Sequence, residues 1–208
     1  MSERICGEIP RPTLSRLPAY LNYLKARRAE GARSISAAQI ARDLKLTEIQ
    51  VRKDLAFLSS GRPRVGREVE ELVDCISRQL TGRAGAVLVG AGRLGQALLF
   101  YEGFRAYGLE ILAAFDSREE LVGREFNGKR VFSAEEISRV TRELGAAIGI
   151  LAVPERAAQW AADQLVAGGV RGIFNFAPVH LEACEGVVLH NEDLAASMAL
   201  LTRAIPAP

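Results

Sequence analysis

Val89-Gly90-Ala91-Gly92-Arg93-Leu94-Gly95 is the stretch that decides the fold of most of this chain. A bare GxGxxG is weak evidence, and here the context strengthens it. The motif follows the apolar run Ala86–Gly90, opens a helix over Leu94–Tyr101, and precedes a second apolar strand, Glu110–Phe115, closed by Asp116. Each glycine has a task in a strand–turn–helix that grips a diphosphate. Gly90 permits the tight turn, Gly92 lets the backbone approach the pyrophosphate, and Gly95 lets helix and strand pack closely. The free amides and dipole at the start of the helix favour the anion. Asp116 stands 21 residues after Gly95, where a carboxylate accepts the ribose hydroxyls of NAD. Arg93 and Arg118 lie near enough to welcome the extra phosphate of NADP, but Asp116 at the strand end repels it, so NAD is the expected cofactor.

Downstream the pattern continues as alternating strands and helices. Strands are expected at Ala146–Val153, Gly172–Phe176 and Gly186–His190, with helices over Glu155–Gly168 and Asp193–Ile205. Repeated βα units imply an α/β, Rossmann-like, doubly wound parallel sheet. The last helix carries Leu194, Met198 and Leu201 at i, i+4 and i+7, an apolar stripe that packs on its own sheet or on a partner subunit.

Upstream the chain is different. Leu17, Tyr20, Leu21 and Leu24 mark an amphipathic helix over Thr13–Ala29, with Pro18 expected to kink it or delay its start. Ser36-Ala-Ala-Gln39 and Thr47-Glu-Ile-Gln50 are two capping boxes in close succession. They predict a short helix over Ser36–Leu44, a turn at Lys45-Leu46 and a second helix over Thr47–Leu58, the length signature of a helix-turn-helix. On that second helix Val51, Leu55 and Leu58 share the inward face. Ile49, Lys53 and Ala56 lie opposite, flanked by Gln50 and Arg52. Apolar atoms that meet thymine methyls, beside a Gln that reads adenine, suit a recognition helix. Arg62-Pro-Arg64 falls where a wing would place two arginines in a minor groove. A further helix follows over Glu68–Leu80, and Thr81–Gly85 reads as a linker.

Charge divides the same way. Residues 1–67 hold 14 Lys and Arg against 6 Asp and Glu, a surplus of eight positive charges. The remainder holds 13 against 19, a deficit of six, so the front of the chain is built to meet a polyanion. Cys6, Cys75 and Cys184 are dispersed, without metal-ligand spacing, and read as reduced thiols of a cytoplasmic protein. No signal peptide or membrane-spanning run is present in the sequence. The two histidines, His180 and His190, fall in loop and edge-strand positions. No domain-sized segment follows the sheet to bind a substrate, and no triad or paired-carboxylate motif stands out, so no catalytic residue and no metal ligand is assigned.

Taken together, Ile9-Pro10, Arg16-Leu-Pro18, Val51-Arg-Lys-Asp-Leu55, Val89–Gly95, Ala113-Ala-Phe-Asp116, Val153-Pro154 with Ala157-Ala-Gln159, and Gly172-Ile-Phe-Asn-Phe-Ala-Pro178 resemble the Rex family of redox-sensing transcriptional repressors. The resemblance covers nearly the whole chain. It implies a winged-helix DNA-binding domain over 1–82, a Rossmann NAD(H)-binding domain over 83–190, and a dimerisation helix over 191–208 swapped onto the partner of a homodimer. It implies cofactor contacts for NADH and NAD⁺ at Gly90, Ala91, Gly92, Arg93, Leu94, Gly95, Asp116, Val153, Pro154, Asn175 and Phe176. The DNA-contact set is Arg33, Ser36, Thr47, Gln50, Arg52, Lys53, Arg62 and Arg64, on palindromic, AT-rich operator DNA. Arg16, Tyr101 and Asp193 would couple the two sites, with NADH favouring a closed form that leaves DNA. The wing departs from the family pattern: Pro63 and Arg64 interrupt its usual Gly-rich stretch, Arg67 replaces a Tyr, and Phe57 stands where Tyr is usual. Two other functions fit parts of the sequence, a small NAD-dependent oxidoreductase with a regulatory head and a CoA- or nucleotide-binding module.

Overall fold

The computed structural model describes residues 9–58, 66–80, 84–182 and 186–205. The chain divides into two compact units, Met1–Gly82 and Arg83–Pro208.

The first unit is helical. Helix α1 (Arg11–Ala29) begins two residues earlier than its apolar periodicity predicts, with Pro10 at its N-cap. Pro18 neither delays nor ends it: the helix runs through Pro18 and buries Leu17, Tyr20, Leu21 and Leu24 on one face. Burial of that stripe outweighs the loss of one main-chain hydrogen bond. A short strand β1 (Ser34–Ile35) leads to α2 (Ala37–Asp43) and α3 (Glu48–Ala56), which pack on one another. The hydroxyls of Ser36 and Thr47 cap these helices, accepting the Gln39 and Gln50 amides at 3.1 and 3.3 Å. Only this hydroxyl half of each expected capping box forms. Between them Lys45 takes a left-handed conformation, φ 54°, to make the turn. Strand β2 (Arg67–Glu68) pairs antiparallel with β1, and α4 (Val69–Leu80) packs against α1 through Val69, Leu72, Val73 and Ile76. The β1/β2 ribbon has no counterpart in the sequence reading, because two-residue strands show no periodicity. The wing residues Arg62 and Arg64 lie outside the described residues, as do Cys6 and Cys184.

The second unit is a seven-stranded sheet among the described residues. Its strands are β3 (Ala84–Val89), β4 (Leu109–Asp116), β5 (Glu125–Phe126), β6 (Lys129–Ser133), β7 (Ile148–Leu151), β8 (Gly172–Asn175) and β9 (Val188–Asn191), in spatial order β5-β6-β4-β3-β7-β8-β9. All neighbours are parallel except the β5/β6 hairpin. Without β5 this is the 3-2-1-4-5-6 order of dinucleotide-binding sheets, which place ligands outside the strand carboxyl ends where the order reverses, here between β3 and β7. Helices α5 (Arg93–Leu99), α6 (Ile137–Leu144) and α7 (Glu155–Ala167) cover it. Strand β3 alternates accordingly. Val87 and Val89 face a core with Phe115, Ile137, Ala158 and Leu165, and Ala86 and Leu88 face another with Leu99, Ile111 and Val131. Helix α8 (Leu194–Ala204) follows β9, with Leu194, Met198, Leu200, Leu201 and Ile205 exposed. No helix of the described residues is long and apolar enough to cross a membrane.

Candidate functional site

The glycine motif sits at the carboxyl end of β3, where the turn into α5 forces the backbone into conformations that only glycine adopts cheaply. Gly90 has φ +98°, and a Cβ there would lie 2.4 Å from the Ala152 carbonyl oxygen. A Cβ on Gly95 would lie 1.8 Å from the Gly90 carbonyl oxygen, so the helix approaches the strand end too closely for any side chain. At Gly92 a Cβ would meet only the end of the Arg118 guanidinium, 3.7 Å away. Gly92 is also the N-cap of α5, so no side chain caps the first turn and its amides face outward for an anion.

Asp116 ends β4, and its side chain is almost fully buried. It accepts the Ala91 amide at 2.8 Å and the Arg118 amide at 2.9 Å, and the Arg118 guanidinium grips both of its oxygens at 3.0 Å. Burial pushes this carboxyl up. The Arg118 guanidinium and the two amides outweigh burial and hold it below the usual carboxylate range. The carboxylate is therefore ionised and tied to the phosphate loop. Its arginine partner is half exposed and must yield where ribose hydroxyls are to be accepted.

These residues border a cavity of about 520 Å³, within the range of roughly 300–1,000 Å³ usual for small-ligand sites. Gly90, Gly92 and Asp116 form one side, and Val153, Pro154, Arg156, Ala157 and Trp160 the other. Pro154 is the N-cap of α7, so the strand end of β7 and the first two turns of that helix make the second wall.

On the first unit, α3 buries Val51 and Leu55 and exposes Arg52, Lys53, Ala56 and Ile49, the last by 68%. Arg52 pairs with Glu48 at 2.5 Å across one helical turn and remains largely exposed. Gln50 is half buried, and Arg33, Ser36 and Thr47 are exposed beside it in the sequence order of the unit. The unexpected residue is Asp54. It is buried on the inward face of α3, where it receives hydrogen bonds from Thr13 at 2.8 Å, Tyr20 at 2.7 Å and Arg16 at 2.7 and 2.8 Å.

Curated relatives match this arrangement along nearly its whole length. A redox-sensing transcriptional repressor Rex from Bacteroides fragilis is 39% identical over 197 residues, covering 93% of this chain and 90% of the relative. One from Carboxydothermus hydrogenoformans is 39% identical, covering 94% and 95%. The chain belongs to the Rex family. Family models divide it as the two units do: a "Putative DNA-binding protein N-terminus" matches residues 8–56 and a "CoA binding domain" residues 83–179. The crystal structure of RSP in complex with β-NAD⁺ and operator DNA superposes with a TM-score of 0.88 at 29% identity, covering 95% of this chain and 92% of RSP. RSP in complex with β-NADH superposes with a TM-score of 0.85, again at 29% identity. This chain is thus a redox-sensing transcriptional repressor of the Rex family, with NAD as its cofactor and DNA as its target.

Within this Rex-family fold the expected cofactor residues fall in two groups. Gly90, Gly92, Asp116, Val153 and Pro154 line the cavity, and Ala91, Arg93, Leu94 and Gly95 complete the loop and first turn beside it. Asn175 and Phe176 are elsewhere. Asn175 is fully buried, its amide committed to Ala177, Val179 and Asn191, and Phe176 packs on Phe174 at 4.6 Å. These contacts place both at the carboxyl end of β8, the same edge of the sheet as the glycine loop. The sequence reading assigned no cofactor contact on α7, where Arg156, Ala157, Trp160 and Ala161 line the cavity. Their signal was available: they recur at one-turn spacing on the helix that follows the strand at the switch point. Tyr101 does not end the phosphate-binding helix but stands after it, half exposed, edge-on to Phe104 at 5.1 Å. Asp193 caps α8, accepting the Ala196 amide at 2.8 Å.

Proposed function

We propose that this chain is a homodimeric repressor that holds palindromic, AT-rich operator DNA through α3 and leaves it when NADH fills the β3/β7 cavity, so that it reports the NADH/NAD⁺ ratio without catalytic turnover. The observation that carries this reading is the pairing, in one chain, of an exposed basic recognition face with an ionised carboxylate at a glycine loop. Similarity to RSP, solved with NAD⁺ and operator DNA and with NADH, supports it over 95% and 94% of the chain. A cytoplasmic location follows from a genomic target. The coupling residues are Arg16, Tyr101 and, from the other chain, Asp193. Arg16 spends two of its nitrogens on Asp54 of the recognition helix, so a force applied to Arg16 reaches α3 directly. A two-fold dimer requires half-sites about one helical turn apart or a multiple of it.

The deciding experiment is a gel shift on an operator-like palindrome with NADH, NAD⁺ and NADPH added separately. NADH alone is expected to release the DNA at low concentration. Equal release by NADPH would remove Asp116 as the selector, and steady NADH consumption with a reducible substrate would return the oxidoreductase reading.

Two substitutions test the sites one at a time. Asp116→Ala is expected to weaken NADH binding in calorimetry by about 1–3 kcal/mol, the scale of hydrogen bonds to a charged acceptor. DNA affinity without cofactor should stay unchanged. Lys53→Ala is expected to weaken operator binding and lower the slope of log K against log salt by about one unit, as for one lost phosphate contact. Anisotropy titrations at several salt concentrations measure both. Unchanged affinity in Lys53→Ala and in Arg52→Ala would show that α3 does not face DNA.

A further inference from the structure

Trp160 is the only tryptophan of the chain, and its position on α7 is not explained by packing. The buried face of α7 is Ala158, Ala161, Ala162 and Leu165. Trp160 lies off that face, on the cavity wall, with 47% of its surface exposed. Among the described residues it makes no ring–ring or cation–ring contact. Standing on the cavity wall with its ring uncovered, the indole offers a flat face to whatever enters.

What surrounds it identifies that ligand. Ala134, Ala152, Ala157 and Ala161 line the same cavity, so the space beside the indole is walled by methyl groups and left free for a ring. Asp116, Ser117 and Arg118 close the cavity on the far side of the switch point, and Asp116 is the candidate ribose acceptor. A ribose held there by Asp116 has the phosphate loop on one side, at Gly90 and Gly92, and the Trp160 recess on the other. The diphosphate takes the loop, which leaves the recess to the base. Arg156, one turn before Trp160 on the same face, adds positive charge at this wall.

We infer that Trp160 is the adenine-binding residue of this chain, stacking its indole on the purine of the dinucleotide, so that the site binds through the base as well as through ribose and diphosphate. The inference rests on the cofactor reading above and goes beyond it, since the glycine motif and Asp116 say nothing of the base. Aromatic stacking on a nucleobase is worth about 1–3 kcal/mol, or roughly 5- to 150-fold in affinity. The ring also becomes a built-in reporter, because every adenine nucleotide that enters must touch the one fluorescent indole.

The test uses the full chain with ADP, NADH and reduced nicotinamide mononucleotide, which lacks the adenosine half. ADP is expected to change Trp160 emission on binding. Trp160→Leu should weaken ADP and NADH by the same factor, between 5- and 150-fold, Trp160→Phe should recover most of the loss, and the mononucleotide should bind all three proteins alike. A merely structural role would move all three ligands together and would overturn the assignment. So would ADP that binds in calorimetry with no change in emission and with equal affinity for Trp160→Leu, while the cofactor reading would stand. Failure of the unmodified chain to bind either NADH or ADP would overturn both.

Discussion

Asp54→Ala is expected to lower the unfolding free energy of the first unit by about 3–5 kcal/mol, the cost of breaking a buried, hydrogen-bonded charge pair by removing one partner. Four donors from three residues converge on this carboxylate: the Thr13 hydroxyl, the Tyr20 hydroxyl and two nitrogens of Arg16. Thr13 and Tyr20 have almost no solvent access, so their hydroxyls stay unsatisfied when the acceptor goes, while Arg16, 23% exposed, regains water in part. Asp54→Asn keeps the volume but leaves Arg16 without a counter-charge, and it too should destabilise. Trp160 lies in the second unit, so its emission reports that unit alone, whereas far-UV circular dichroism reports both. In urea, the part of the dichroism transition that belongs to the first unit should move down by at least about 1 M, with the Trp160 transition unmoved. Coincident, unshifted transitions in Asp54→Ala would show that the cluster contributes nothing.

The same cluster sets two pH edges. Burial pushes the Asp54 carboxyl up, but the hydrogen bonds from Arg16, Tyr20 and Thr13 outweigh it, and its folded pKa lies below the unfolded value. A depressed carboxyl stabilises fully above the unfolded value of about 3.9, and the contribution is lost as pH falls through the folded pKa. The Tyr20 hydroxyl shifts the other way. Burial and its bond to Asp54 raise it, so its contribution is complete below the unfolded value of about 10 and fades as pH rises beyond it. Asp54→Ala should flatten both edges in thermal melts taken across that range.

The phosphate loop and its strand were legible because three glycines, an apolar run and a terminal carboxylate have one low-energy arrangement, and the close approaches at Gly90 and Gly95 are what that pattern requires. Helices α2 and α3 were legible through their hydroxyl caps, Ser36 and Thr47, and α3 also through its inward Val51-Leu55 face. The sequence reading missed β5, β6 and α6. The hairpin turn Asn127-Gly128 is a strong local signal, with φ of 50° and 72°, but the strands on either side are two and five residues long and charged at Glu125, Lys129 and Arg130. β5 is an edge strand paired on one side only, and β6 beside it buries only Val131, so neither carries the apolar run that marks β3 or β7. Asp54 was invisible for a different reason. A charged residue at an inward helical position reads as an exception until tertiary packing brings Arg16 and Tyr20, 38 and 34 residues away, to its side chain. The α7 wall was missed because the one-turn spacing of Arg156, Ala157, Trp160 and Ala161 gains meaning only once β7 is known to lie at the switch point.

Removing residues 194–208 is expected to turn the chain into a monomer and to abolish release from the operator by NADH. Helix α8 has an apolar stripe, Leu194, Met198, Leu201 and Ile205, that is between 54% and 63% exposed. Fully burying a side chain of this size stabilises by about 1.5–3 kcal/mol, so covering the exposed half of Leu194, Met198 and Leu201 on a second subunit contributes on the order of 2–5 kcal/mol per helix before ordering costs. In a two-fold dimer both helices would add this gain. The cut must begin after β9. Asn191 accepts a hydrogen bond from the buried Asn175 at 2.9 Å, and β9 pairs with β8 as far as Asn191, so an earlier truncation would damage the sheet and confuse the result. Loss of Asp193 as a helix cap is avoided by the same choice, although the cap then has no helix to serve. The double substitution Met198→Lys, Leu201→Lys keeps the helix and charges its stripe, and it should dissociate the dimer without shortening the chain. Sedimentation at micromolar protein reads the subunit state, and calorimetry should still detect NADH because the glycine loop and Asp116 are untouched. A change from mostly DNA-competent to mostly released demands a differential NADH affinity of about 5.5 kcal/mol between the two states for a 1:99 to 99:1 shift. A single subunit with a severed helix has no second head whose spacing NADH can alter, so its weakened DNA binding should no longer depend on NADH. A truncated protein that remains dimeric and leaves its operator at the same NADH concentration would place the dimer interface and the switch elsewhere than α8.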